Sequence, residues 1–379
     1  MRATEFSWSA SDMWLGDRSA SEGANLVLYF GARRAFTDKA RFDELRSIFP
    51  QAHILGCSTG GQIHNDDVVD NEITALALQF GATRLKLVCE TVTGVDASYD
   101  CGAAIGTALK ADDLAGIFVL SDGLNVNGSK LVAGITSIVG RDIPLTGGLA
   151  GDGAEFNETL VGADDSPCSH RVAAVGFYGD AIRIGHGSAG GWDVFGPRRR
   201  ITKSAGNLLL ELDGEPALDL YERYLGEDDA KGLPGTALLF PLQICNPDQP
   251  DNTIVRTVLA VDREKRTMTF AGDMPEGWTA QLMRGNFEKL CAGAADAARQ
   301  AHSGIGQGES AAILVSCIGR RLLMGQRITD EIEAVAAELG NKTVRLGFYS
   351  YGEISPHAAS GICELHNQTM TVTALHEAA

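Results

Sequence analysis

Gly56-Cys57-Ser58-Thr59-Gly60 has the G-x-S-x-G pattern with which serine hydrolases expose a nucleophile on a strained strand-to-helix turn. That chemistry needs a helix directly after the turn and a base within hydrogen-bond reach. Gln62-Ile63-His64 and a second strand-like run follow instead, and His64 is the only base nearby in sequence. An enzyme using Cys57 or Ser58 is one reading of the segment; a tight turn between strands is the other. Gly185-His186-Gly187-Ser188-Ala189-Gly190 fits G-x-G-x-x-G after Ala181-Ile182-Arg183-Ile184. A dinucleotide site requires a helix opening at the third glycine, so that its amides face the pyrophosphate. Gly191-Trp192-Asp193-Val194-Phe195-Gly196-Pro197 opens none.

Two other glycine-rich loops suit a bound ligand better. In Gly147-Gly148-Leu149-Ala150-Gly151-Asp152-Gly153 the missing side chains let backbone N–H groups turn inward toward an anion. Ser121 to Gly128 places Asp122 and Asn125 at the C-terminal end of a strand, where open α/β sheets bind ligands. Either loop also serves as a plain turn between packed strands. The candidate ligand-binding residues are Gly60, Gly61, Asp122, Asn125, Gly147, Gly148, Gly151 and Asp152, with Tyr351 and Glu353 from a corresponding bend near the C-terminus. No residue is assigned as catalytic. Of the eight histidines, His186, His357 and His366 lie beside glycine turns or within Cys363-Glu364-Leu365-His366-Asn367. One neutral imidazole in an apolar pocket suffices as an axial haem ligand, so these three are alternative candidates for that role. No spacing resembles a zinc motif.

The elements that must position these residues alternate between strand and helix. Leu26 to Phe30 is a continuous apolar run, after which Thr37 caps a helix with Phe42, Leu45 and Phe49 on one face. Ile117 to Leu120 leads to a helix carrying Leu131, Val132, Ile135, Ile138 and Val139; Ala312 to Val315 leads to one capped by Thr329, with Ile332, Val335, Ala336 and Leu339. A mixed α/β architecture (mixed α+β) follows, with mixed sheets flanked by helices. The bends at 54–63, 144–153 and 346–354 are each followed by a returning strand, at 73–80, 172–178 and 368–375. One unit recurs, read here as two pseudo-symmetric lobes. The turn-rich Leu212-Asp213-Gly214-Glu215-Pro216, followed by the helix face Ala217, Leu218, Tyr221 and Leu225, divides the chain into 25–212 and 213–379.

A chain of 379 residues exceeds what one core usually organises. No window reaches the roughly 18 apolar residues of a membrane helix, and Met1 to Phe6 lacks a secretion signal, so a cytoplasmic protein without membrane contact is expected. The net charge of −17 repels nucleic acid and anionic lipid; Arg198-Arg199-Arg200 beside Pro197 reads as a solvated turn. Eight scattered cysteines without a C-x-x-C pair read as reduced and mostly buried.

The runs LGCSTGGQI (55–63), FVLSDGLNVNGSKLVAGI (118–135) and PLTGGLAGDGAEF (144–156) resemble the FIST N-terminal region. SCIGRRLLMGQRITDEIEAV (316–335), LGFYSYGEISP (346–356) and CELHNQTMTVTAL (363–375) resemble the FIST C-terminal region. The resemblance implies a sensory, ligand-binding signal-transduction protein that is not an enzyme, in stand-alone form and similar to the nitric-oxide-sensing NosP haemoprotein group. It further implies a partner such as a histidine kinase, with a homodimer also open. Haem, for nitric oxide sensing, is the preferred ligand; an amino acid or similar metabolite held by a haem-free module is the alternative.

Overall fold

In a computed structural model of the chain, residues 1–250, 253–306, 308–358 and 360–378 are described. The expected mixed α+β architecture is present as four mixed sheets flanked by helices. Its plan is a single strand–helix–strand unit used three times. In the first unit, Leu26–Ala32 and His53–Thr59 run parallel across the helices Arg33–Thr37 and Lys39–Ile48, and Ile73–Gln79 returns antiparallel beside Leu26–Ala32. Leu114–Ser121, helix Gly128–Val139, Leu145–Leu149 and Arg171–Tyr178 repeat the pattern. Ser310–Cys317, the helices Ile318–Met324 and Ile328–Leu339, Thr343–Ser350 and Met370–Glu377 repeat it again. The three bends and returning strands read from the sequence are the ends of these units, so the repetition is carried by three sheets.

The units do not close on themselves. Gln62–His64 of the first pairs with Thr343–Ser350 of the third, Val161–Ala163 of the second with His53–Thr59 of the first, and Gly352–Pro356 of the third with Leu145–Leu149 of the second. Each sheet therefore carries a strand lent by another unit. The apolar run 26–30 is continuous because both faces of its strand are covered. Leu26, Leu28 and Phe30 join Phe118, Val175, Ile313 and Phe348 in a core shared by the three sheets, with Phe30 and Phe348 rings 4.5 Å apart. Val27 and Tyr29 face the other way, into a cluster with Phe42 and Leu45 of helix Lys39–Ile48.

The fourth sheet occupies the stretch from Trp192–Ala205 to Thr279–Gly285, inserted between strand Ile182–Ala189, which pairs with Met370–Glu377 of the third unit, and helix Phe287–Ser303, with its own core around Ile201, Leu209, Tyr221, Met268 and Phe270. The 212/213 junction lies within this sheet, between strands Leu208–Leu212 and Glu215–Pro216. Arg198-Arg199-Arg200 lies in strand Trp192–Ala205 and not in a turn; Arg199 bonds Tyr224 and reaches Asp213 at 3.1 Å. Two helix starts also differ from expectation. Asp38, not Thr37, caps Lys39–Ile48 by accepting the amide of Ala40, and Thr329 lies inside Ile328–Leu339, whose start has no side-chain cap.

The G-x-G-x-x-G segment has a packing role. A Cβ on Gly185 would lie 1.9 Å from the carbonyl of Ala301, and one on Gly187 2.0 Å from that of Ala297, so only glycine lets helix Phe287–Ser303 rest directly on strand Ile182–Ala189. Its other end is clamped by Arg320. This guanidinium, wholly buried, pairs with equally buried Glu331 at 2.8 Å and donates to the carbonyls of Gly190 and Leu290 at 2.7 and 2.9 Å. Removing one partner of such a pair strands a charge in the core and costs about 3–5 kcal/mol. Urea unfolding of Arg320→Met is expected to show a loss of that order, and a loss below about 1 kcal/mol would mean the pair is not a fixed part of the core.

Candidate functional site

The three bends meet where the parallel strand pairs end. Gly60 N donates to Tyr349 O at 2.8 Å, Gly151 N to Ser58 O at 2.9 Å, and Tyr351 N to Leu149 O at 3.2 Å, a closed cycle through all three units. The amides expected to face a ligand at Gly151 are thus consumed by neighbouring carbonyls. Gly147 and Gly148 lie within strand Leu145–Leu149, paired on both sides, and a Cβ on Gly148 would meet Val315 at 2.7 Å. These three glycines build the junction and do not offer an open nest.

To one side the junction opens into a cleft of about 290 Å³. Gly60, Gly61 and Asp152, all singled out in the sequence, line it together with Arg33, Arg34, Asp70, Glu155 and Arg321. Arg33 and Arg34 begin the helix that follows Leu26–Ala32, and Arg321 lies in the helix that follows Ser310–Cys317, so equivalent strand ends of two units supply the cations. Arg321 bonds Gly60 O and reaches Asp70 at 2.6 Å, lying over the Tyr349 ring. A Cβ on Gly61, whose φ is +132°, would fall 1.9 Å from this guanidinium. Arg33 bonds Glu155, which raises its pKa, and faces Asp152 at 3.7 Å, while its buried Nε has no hydrogen-bond partner. Arg34 is exposed and forms no ion pair among the described residues.

Asp152 shapes the cleft wall. It accepts the amides of Phe156, Asn157 and Glu158 at 3.0, 2.9 and 2.9 Å, and Tyr351 donates its hydroxyl to the same carboxylate. Tyr351 also stacks on Phe156, 4.5 Å between centroids, so it fixes the 152–158 loop without lining the opening. Asp122 sits at the strand end equivalent to Arg33, but its carboxylate is fully occupied by the amides of Leu124, Asn125 and His170 and by Thr159. Burial opposes its charge, and those amides outweigh it and lower its pKa. Asn125 is turned back onto the same carboxylate at 3.1 Å, so neither residue reaches the cleft.

Ser58 is buried and accepts the amide of Leu160 at 2.9 Å; His64 faces Glu5 at 3.6 Å. Among the described residues no imidazole is bonded to Ser58, and burial pushes the Cys57 thiol well up. The G-x-S-x-G turn is a strand crossing from one sheet to the next.

Residues 25–215 match the FIST N domain, and residues 217–356 match the FIST C domain. The chain belongs to the FIST family. Its two FIST domains are those of sensory, ligand-binding signalling proteins. An uncharacterized protein of Methanocaldococcus jannaschii is 26% identical over 375 residues, covering 87% of this FIST chain and 69% of that protein. A solved structure, cyanuric acid hydrolase from A. caulinodans, aligns over 100% of the chain and 99% of its own length at 9% identity with a TM-score of 0.37.

Of the three histidines considered for haem in this FIST protein, His357 and His366 come together and His186 does not. His186 lies on strand Ile182–Ala189, on the face opposite Gly185 and Gly187. His357 and His366 stack 5.8 Å apart at 11° beside a second cleft of about 240 Å³, between the repeated core and the fourth sheet. Nε2 of each ring faces a backbone carbonyl, Thr253 O at 3.3 Å and Ser355 O at 2.9 Å. The cleft falls below the roughly 300–1,000 Å³ of sites for drug-sized ligands. Among the described residues no group of three or more His, Cys, Asp or Glu side chains is placed to hold a metal ion, and no helix is long and apolar enough to cross a membrane.

Glu353 lies behind the site in the buried interior, bonded by Ser350 at 2.6 Å and by the hydroxyl of Thr369 at 2.9 Å. Burial raises its pKa from the ordinary 4.5 to about 8 despite those bonds. The folded state therefore binds a proton that the unfolded state has released, so this group stabilises the fold fully below about pH 4.5 and loses that contribution as pH rises through about 8. Urea unfolding across this window is expected to give a flatter stability curve for Glu353→Gln than for the wild type. Parallel curves would show that Glu353 ionises without penalty.

Proposed function

We propose that this FIST protein is a sensor whose signal is a small zwitterionic or anionic metabolite, of the size of an amino acid, bound in the arginine-lined cleft. One observation carries the reading: Arg34 is exposed and unpaired among the described residues, beside Arg33 and Arg321 whose charges are met by Glu155 and Asp70. A ligand carboxylate placed against Arg34 gains a charge-assisted bond, and Glu155 and Asp70, each about half exposed beside its arginine partner, keep a face open to a ligand ammonium group. All three repeated units contribute to the walls, so occupancy bears on how they sit together. A partner signalling protein, such as a histidine kinase, would read that change. The haem and nitric oxide version gains no support from the small histidine-lined cleft. A Soret band that appears on adding haemin and disappears in His366→Ala would restore it.

Thermal-shift screening with amino acids and dicarboxylates tests the main reading, since a ligand at 100 times its Kd adds about 2.7 kcal/mol of stability. At least one such compound is expected to stabilise the wild type, and Arg34→Gln to weaken its binding at least about tenfold, or about 1.4 kcal/mol, without lowering the Tm of the free protein. A broad screen without a hit, or a hit that binds Arg34→Gln equally well, would remove this cleft as the sensing site.

A further inference from the structure

The second cleft is built differently from the first. One wall comes from the repeated core, with Ser188, His366 and Thr369, and the other from the fourth sheet, with Trp192, Gln243, Val255 and Met283. Among the described residues no carboxylate, lysine or arginine lines it. His366 is only 5% exposed and bonds through Nε2 to Ser355 O at 2.9 Å. A carbonyl oxygen only accepts, so Nε2 carries the hydrogen and Nδ1 presents a lone pair. Among the described residues nothing donates to that Nδ1. Burial holds the imidazole neutral, its pKa lowered to about 4. The indole N–H of Trp192 is already given to Gln368 O at 2.8 Å, which leaves that ring as a surface for contact and not for hydrogen bonding.

We infer that this cleft is a second binding site, for a small uncharged planar heterocycle whose N–H or O–H donates to Nδ1 of His366. The volume of about 240 Å³ suits a one- or two-ring compound. Flat aromatic walls favour a flat π-bearing ligand, and the lack of charge among the described lining residues disfavours an ion, which would have to leave water without a counter-charge. Such a ligand bridges the repeated core and the inserted sheet, so it fixes their orientation independently of the arginine cleft.

Calorimetric titration with hypoxanthine and with uracil, both uncharged near neutral pH, tests the site. At least one is expected to bind with one site per chain and to shift the 15N resonance of His366 Nδ1. Affinity falls at least about tenfold in His366→Phe, and also in Gln243→Ala on the opposite wall, which keeps the test valid if the buried substitution unfolds the protein. Gly190→Leu, at a position where a Cβ meets nothing closer than Trp192 Cδ1 at 3.7 Å, fills the cleft and abolishes binding. Arg34→Gln leaves it unchanged. The inference is overturned if neither compound binds, if binding survives Gly190→Leu, if Arg34→Gln removes it, or if zinc chloride alone gives a signal.

Discussion

A cycle of three backbone hydrogen bonds, from Gly60 to Tyr349, Gly151 to Ser58 and Tyr351 to Leu149, ties the strand ends of the repeated units to one another. Buried peptide groups that lack a partner cost about 1–3 kcal/mol each, so none of these bends can part from its neighbour without the others losing register. Much else follows from that constraint. It turns the following short strands outward into adjacent sheets, and it sets the helices that begin with Arg33 and contain Arg321 around one opening. The site is a by-product of the closure: Gly60 and Asp152, at or beside two of the tied positions, line the opening with Arg33 and Arg321, whereas Asp122 and Glu353 stay inside the fold.

The sequence disclosed the repeating unit because its parts are local. A strand of apolar residues, a bend of glycines and a returning strand all lie within some thirty positions, and each is dictated by side-chain periodicity. Exchange of strands is not local. Nothing near Gln62-Ile63-His64 says that its partner is Leu346 to Phe348, because that choice depends on how three units fit around one core. Likewise the cap at Asp38 was misplaced by one residue, since adjacent polar residues compete for the same role, and Thr329 was read as a cap for a helix start that has none.

Within the site, Gly60, Gly61 and Asp152 were legible and the arginines were not. Arg33 and Arg34 look like an ordinary exposed pair, but the same doublet recurs as Arg320 and Arg321 after the corresponding strand of the third unit. That recurrence was the available signal. Asp122 misled for a physical reason: a carboxylate at a strand end either meets a ligand or caps the turn beneath it, and three amides decide for the second. Gly147, Gly148 and Gly151 misled similarly, since they serve the close packing of strands and not an open nest.

The lending of strands bears on how the chain reaches its native state. During synthesis the first third exposes Gln62–His64 and the edge of His53–Thr59, and the partners of both lie further along, Val161–Ala163 in the middle and Thr343–Ser350 near the end. The first sheet can close once Val161–Ala163 has emerged, but the sheets of the second and third units wait for Gly352–Pro356 and Thr343–Ser350, so contacts of very long sequence separation close late. The emerging polypeptide must therefore keep ribbon edges unpaired until their partners arrive.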